Sequence, residues 1–209
     1  MKQEQLRKSG AIFLIGILAG ILCRLSDLFP YESLWSLSSV AALFGFWIAS
    51  VSVITMHSAS HKAAFANTFL YLFGMTLAFY ALKYLLGLFV PQFDNDGGFQ
   101  TRLFLVYTGL SLLCGFGSAV LYFWNKSRWY SSALYALPVG ALLAEGIACG
   151  IVLVTRHMLL GQTLFDLSAA VWFCMVLGKK ASDKTVFVIA IAGITATVFR
   201  VIYRNWVIL

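Results

Sequence analysis

The 209-residue sequence is 61% hydrophobic and only 11% charged, and this composition excludes a soluble globular domain. The formal net charge of +7 is spread over short segments beside apolar runs, so it indicates membrane topology rather than nucleic-acid binding. We therefore expect an integral membrane protein with no separate soluble domain and no nucleic-acid partner.

Apolar runs of about 17 to 25 residues follow one another along the chain, a length that suits helices crossing a hydrocarbon core of about 30 Å and not barrel strands. They predict an all-α integral membrane fold with about seven transmembrane helices, of which the sixth is the shortest. The predicted spans are Ala11 to Phe29, Leu34 to Thr55, Phe65 to Phe89, Leu103 to Trp124, Ala133 to Val154, Gln162 to Gly178 and Thr185 to Tyr203.

The first apolar run follows Lys2, Arg7 and Lys8 and is not succeeded by a small-residue cleavage site, so we expect a retained first helix. Most loop lysines and arginines fall on the same side of the predicted membrane as the N-terminus. The positive-inside rule then predicts a multi-pass protein of the plasma (inner) membrane, with its N-terminus in the cytoplasm and its C-terminus outside. The lipid bilayer is its expected partner.

Two stretches of the sequence recur at one offset. Gly16 to Ile21 and Gly146 to Ile151 both read Gly-Ile-x-x-Gly-Ile, and Leu34 to Ser38 matches Leu164 to Ser168 in the same register. The offset of 130 residues maps span one onto five, span two onto six and the start of span three onto seven, and it leaves the fourth as a linker. We therefore predict two parallel three-helix repeats, 11–89 and 133–209, joined by a linker helix at 103–124, a 3+1+3 arrangement.

This arrangement resembles that of the SWEET sugar transporters and the PnuC vitamin transporters in span count and repeat order, although no substrate motif of either family is present. The resemblance implies a transport function. The stretch from Arg24 to Tyr31, with Leu34 to Ser39 after it, also resembles bacterial membrane proteins of unassigned function.

An acidic residue lies near the centre of the fifth span. A charge at that depth costs about 2.5 to 3.5 kcal/mol on insertion scales, so Glu145 is expected to face a partner or water. Cys149 and Arg156 share its helix face, and Asp166 follows early in the sixth span. Such intramembrane carboxylates are candidates for ion or substrate binding, and a purely structural hydrogen bond is the alternative.

Further polar and charged residues lie at outer-half depth or near span ends. The basic ones could instead reach the lipid headgroups. Ser36 is the repeat counterpart of Asp166, and Asn67 is a candidate pore-lining group. The full set of predicted substrate- or ion-binding residues is Glu145, Asp166, Arg200, Lys83, Arg156, Arg24, Asp27, Ser36 and Asn67.

Other motifs point to structure rather than chemistry. The Gly16/Gly20 and Gly146/Gly150 pairs favour close helix packing. His57 lies four residues before His61 but has no acidic or cysteine partner nearby in the sequence, and Asp94 to Asp96 lacks the remaining ligands of a calcium loop. We predict no metal, no cofactor and no disulfide framework among the four cysteines.

The main hypothesis is a small transporter, or the substrate-binding membrane subunit of one, for a small polar, anionic or zwitterionic solute bound between the two repeats. In it Glu145 and Asp166 would bind a cation or proton, and Arg200 or Lys83 an anionic group. A homo-oligomer or a partner membrane subunit is compatible with this.

Two alternatives stay open. One is an intramembrane enzyme using Cys149, Arg200 and Glu145, whose Cys and Arg positions resemble those of exosortase-type transpeptidases. No histidine follows Arg200, so His157 would have to act as the base. The other is a non-catalytic receptor, immunity or assembly protein.

Overall fold

The computed structural model describes residues 2–89, 98–126 and 130–208, and within these ranges the chain is helical without strands. The acidic stretch Asp94 to Asp96 lies outside the described residues. The helices are α1 (Lys2–Ser26), α2 (Leu37–Ala42), α3 (Phe44–Met56), α4 (His61–Phe89), α5 (Thr101–Leu121), α6 (Ser131–Arg156), α7 (Leu160–Lys180), α8 (Lys184–Val198) and α9 (Arg204–Ile208).

Six of the described helical segments are long and apolar enough to cross a membrane, which confirms the all-helical, membrane-compatible class. They correspond to six of the seven predicted spans, and the sixth predicted span is one of them. The segments are Lys8–Ser26, His61–Phe89, Thr101–Asn125, Ser131–Arg156, Leu160–Lys180 and Lys184–Val207.

The second predicted span, Leu34 to Thr55, is interrupted. Leu43 adopts an extended conformation (φ −88°, ψ 169°) between α2 and α3, and its N–H closes the end of α2 by donating to the Ser39 carbonyl at 2.9 Å. The start of α2 is also irregular, because Ser36 has a left-handed backbone with φ 42°. Hydropathy alone does not register these breaks, since Leu43 is as apolar as its neighbours.

The chain divides into two compact units. The first comprises Met1–Leu28 and Ile54–Val120, and the second comprises Phe29–Val53 and Leu121–Leu209. Both units are held by close helix packing at small residues, and each has its own set of buried polar groups. The predicted repeats, 11–89 and 133–209, rest on sequence similarity and not on these contacts, so the repeat remains a prediction.

In the first unit, α1 and α4 run parallel, as shown by contacts that advance in the same direction along both helices. Gly16 lies against the backbone of Tyr71 and Gly20 against that of Met75, and a Cβ on either glycine would collide with a carbonyl oxygen. The close approach predicted for this glycine pair is confirmed. The hydroxyl of Ser118 on α5 bonds the hydroxyls of Thr55, at 2.7 Å, and Thr68, at 2.9 Å.

In the second unit, α6 runs antiparallel to α7 and parallel to α8. Gly146 and Gly150 face Leu167 and Thr163 of α7, in reverse order along the chain. Contacts between α8 and α6 instead advance in the same direction along both helices. The Asp183 N–H, just before α8, bonds Ser132 Oγ at 3.0 Å, and Thr195 further along bonds the Gly140 carbonyl at 3.2 Å. Helix α6 is the core of this unit, since its central residues are buried on most sides.

Candidate functional site

Two acidic side chains meet in the interior of the second unit. Glu145 on α6 and Asp166 on α7 are both 0% exposed. The side-chain amide of Gln162 joins them, because its Nε2 donates to Glu145 Oε1 at 3.2 Å and to the two Asp166 oxygens at 2.8 and 2.9 Å. We call Glu145, Asp166 and Gln162 the carboxylate cluster.

The spacing of residues on α6 and α7 positions this cluster. Gln162 and Asp166 are four residues apart on α7 and therefore share a helix face. Beside Glu145, Gly146 allows α7 to approach, since a Cβ there would lie 3.0 Å from the Leu167 side chain. A small residue next to the acidic one thus brings both carboxyl groups within reach of one amide.

The last membrane-length segment contributes a hydroxyl to the cluster. After α8, residues Phe199–Tyr203 form a π-helical turn before α9 begins. Tyr203 is 4% exposed, and its hydroxyl donates to Glu145 Oε2 at 2.7 Å. Such wide turns are uncommon and often occur at functional sites, because they redirect a side chain that a regular helix would point elsewhere.

The interruption at Leu43 supplies two further donors. Helix α3 begins at Phe44, and the backbone N–H groups of Phe44 and Gly45 donate to the Glu145 carboxyl group. The first N–H groups of a helix have no partner within it, and its positive end favours a nearby carboxylate. Gly45 carries no side chain at the point where Asp166 Oδ1 would collide with a Cβ.

If both carboxyl groups of the cluster were ionised, the neighbouring groups would not compensate their negative charge. In the part of the chain that the structure describes, no lysine, arginine or histidine pairs with Glu145 or Asp166. Both carboxyl groups bond one nitrogen, so Glu145 Oε1 and Asp166 Oδ1 lie within about 6 Å, where two ionised groups repel by about 3 kcal/mol at an effective dielectric constant of about 20. Neutral donors solvate such charges but do not cancel them.

Three other predicted site residues belong to the same unit but do not join the cluster. Ser36 is buried in the turn before α2, where its hydroxyl donates to the Tyr31 carbonyl at 2.6 Å. Arg156 and Arg200 are exposed on their helices. This placement fits arginines that extend toward lipid headgroups.

The remaining predicted site residues belong to the first unit. Arg24 pairs with Asp27 at 2.8 Å and lies over the Phe79 ring at 5.8 Å. Lys83 donates to Gln100 Oε1 at 3.0 Å, and Asn67 accepts a hydrogen bond from Ser9 at 3.2 Å. Each of these groups therefore has at least one partner within the first unit.

Sequence reasoning missed Gln162, Tyr203 and the amides of Phe44 and Gly45. The first of these carried a signal, because a glutamine one helical turn before an intramembrane aspartate falls on the same face. No comparable pattern marks Tyr203, whose direction depends on the π-helical turn. The backbone amides depend on the break at Leu43.

The geometry needed for thiol chemistry is not formed around Cys149. Its side chain is 0% exposed and packs with Val152 and Leu159, and no described histidine is hydrogen-bonded to it. A cysteine nucleophile requires an adjacent base, and His157 instead ends α6 as an exposed residue. Among the described residues, no group of three or more His, Cys, Asp or Glu side chains could hold a metal ion.

No family model matches the sequence, and no curated protein or solved structure matches it either.

Proposed function

We propose that the protein is a small multi-pass membrane transporter for a small polar solute, in which the buried carboxylate cluster binds a positive charge. The observation that carries this proposal is the pairing of Glu145 and Asp166, both fully buried, without a described basic partner. Ionisable groups inside membrane helices are costly, and they commonly mark ion or substrate pathways.

The broken second helix supports the same proposal. Transporters commonly use discontinuous helices, whose free N-termini and unwound backbone bind ions or substrate near the centre of the membrane. Here the break at Leu43 directs the start of α3 at Glu145, and Asp166 lies against Gly45. An interruption directly beside a buried carboxyl pair is the arrangement expected of a binding site.

The helix directions support seven membrane crossings. Since α1 and α4 are parallel within their unit, the chain between them has to return to the side on which α1 began. Residues Leu37–Met56, broken at Leu43, are long enough to make that crossing at about 1.5 Å per residue. The parallel pair of α6 and α8 repeats the arrangement of α1 and α4, which favours the 3+1+3 order.

The remaining features follow from this topology. With seven crossings and the positive-inside rule, the N-terminus lies in the cytoplasm and the C-terminus outside the plasma membrane. The cluster favours a cation or the cationic group of a solute. The exposed Arg200 gives no support to a nearby anion-binding group.

Thermal unfolding of the purified full-length protein in the presence of amino acids, vitamins, sugars and nucleosides tests the proposal. A ligand that binds only the folded state raises its stability by mass action. We expect a solute that stabilises the wild type and Glu32→Gln, a matched change at an exposed glutamate, but not Glu145→Gln. The same solute should accumulate in proteoliposomes that contain the wild type.

Two outcomes decide against transport. If Glu145→Gln binds and accumulates the solute as the wild type does, the cluster is structural. If no solute accumulates, and only a second membrane protein raises the melting temperature, a partner-binding function replaces transport. Cys149→Ala distinguishes a transporter from an enzyme that uses this thiol, because a transporter should still accumulate the solute after this change.

A further inference from the structure

Only the nitrogen of the Gln162 side-chain amide has hydrogen-bond partners among the described residues. Its nitrogen contacts three carboxyl oxygens, whereas its Oε1 is buried and accepts no hydrogen bond from any residue that the structure describes. Gln162 is 0% exposed. A buried carbonyl oxygen without a donor is costly, and each such group calls for an explanation such as an ion or a proton.

The groups that face the cluster leave its charge uncompensated. Helix α6 contributes Glu145, with the Cys149 thiol one turn further along among apolar side chains. Helix α7 contributes Asp166 and Gln162, the π-helical turn contributes Tyr203, and α3 contributes backbone N–H groups. The described donors are all neutral. A positive charge that balances two ionised carboxyl groups here would have to come from a bound cation or proton.

We propose that Glu145, Asp166 and Gln162 form a binding site for one monovalent cation. The inference deepens the proposed function and rests on it for its role in coupling. A half turn of the Gln162 amide exchanges its nitrogen and oxygen, and brings Oε1 to the carboxyl oxygens as a third ligand. In this arrangement the bound cation compensates the carboxyl pair and gives Oε1 a partner, while Nε2 takes the place that Oε1 now occupies.

Two monovalent cations fit the same oxygen atoms. A proton would be carried on one carboxyl oxygen and donated to Gln162 Oε1, so that one carboxyl group becomes neutral. A sodium ion would instead lie between the carboxyl oxygens and Oε1. Divalent ions fit less well, because calcium takes six to eight oxygen ligands and magnesium keeps several waters, whereas the Gly45 backbone lies directly against Asp166.

Thermal unfolding of the detergent-purified protein distinguishes the two cations. In one series sodium replaces choline at constant ionic strength and pH, and in the other the pH is lowered without sodium. We expect one series to raise the melting temperature with the concentration dependence of a single bound ion. Asp166→Asn should abolish that response, and Gln162→Leu should weaken the apparent affinity at least tenfold.

The matched control is Gln100→Leu, which removes an amide in the first unit and should leave the response unchanged. The proposal is overturned if neither series stabilises the wild type, if only calcium or magnesium does, or if Asp166→Asn responds like the wild type. Should Gln162→Leu fail to fold, Gln162→Glu provides the second variant, and an unchanged response there also overturns it.

This binding experiment requires no transport. A cation that binds at the cluster but drives no solute accumulation in proteoliposomes contradicts the proposed function and leaves the site intact. Solute accumulation that depends on Glu145 but on neither sodium nor a proton gradient contradicts the site and leaves the transport function intact.

Discussion

The two compact units both bury polar groups between helices, but they match them differently. In the first unit, the Ser118 hydroxyl bonds those of Thr55 and Thr68, and Arg24 pairs with Asp27. In the second unit, Glu145 and Asp166 share neutral donors and have no basic partner among the described residues.

This difference distinguishes polar groups that only stabilise helix packing from polar groups that would bind a cation or a proton. A closed set of neutral hydrogen bonds stabilises helix packing in lipid by a modest amount and needs nothing further. An ionised carboxyl pair without a basic partner is costly until a cation or a proton binds to it. Substitutions in the first unit should therefore change stability alone, whereas substitutions in the second should also change the response to cations.

The largest loss of stability is expected where two backbones touch in the first unit. Gly16→Ala places a Cβ against the Tyr71 carbonyl, and because backbone cannot rotate away, α1 and α4 have to separate. We expect a loss of about 3 kcal/mol, the upper range for overpacking. Thermal unfolding in detergent measures it.

Gly10→Ala is the matched control for this substitution. Nothing lies within 4 Å of the added Cβ at Gly10, which is in the same helix, so the change should leave stability unaltered or raise it by about 0.5 kcal/mol. Equal losses at both glycines would contradict the packing of α1 on α4 described above.

The sequence predicted those parts of the fold that depend on hydrophobic length. Six of the predicted spans correspond to long apolar helices, because an apolar run of about 20 residues is a direct signal. The break in the second span escaped detection because Leu43 continues the apolar run. Its conformation depends on the surroundings, where Glu145 satisfies the N–H groups that the break releases.

The sequence predicted only the charged members of the candidate site. Glu145 and Asp166 stood out because an acidic residue in an apolar run is rare, and the structure brings them together. Gln162 and Tyr203 are neutral and therefore gave no such signal. Arg200 was grouped with the site by depth alone, and depth does not determine which side of a helix faces the protein.

A smaller loss of stability, combined with a functional effect, is expected at Tyr203. Tyr203→Phe keeps the ring that packs with Ala144 and Ala148 and removes only the hydroxyl that donates to Glu145. A hydrogen bond to a charged group contributes about 1.5 kcal/mol, so unfolding should become easier by about that amount.

The response of Tyr203→Phe to sodium or protons should also shift, because the donor contacts the proposed site. Tyr31→Phe, at a tyrosine of the same unit that is 45% exposed, serves as the control and should change neither quantity. An unaltered cation response in Tyr203→Phe would mean that the hydroxyl supports packing only, and would weaken the contrast between the units.

The smallest effect is expected in the hydroxyl network of the first unit. Ser118→Ala removes the oxygen that Thr55 and Thr68 both bond, and interhelical hydrogen bonds of this kind average about 0.6 kcal/mol in membrane proteins. Ser168→Ala, an exposed serine that bonds only its own helix, should cost less. Because no charge is involved, the cation response and any solute accumulation should equal those of the wild type. A Ser118→Ala variant of normal stability that had lost either activity would show that neutral polarity in the first unit also serves function.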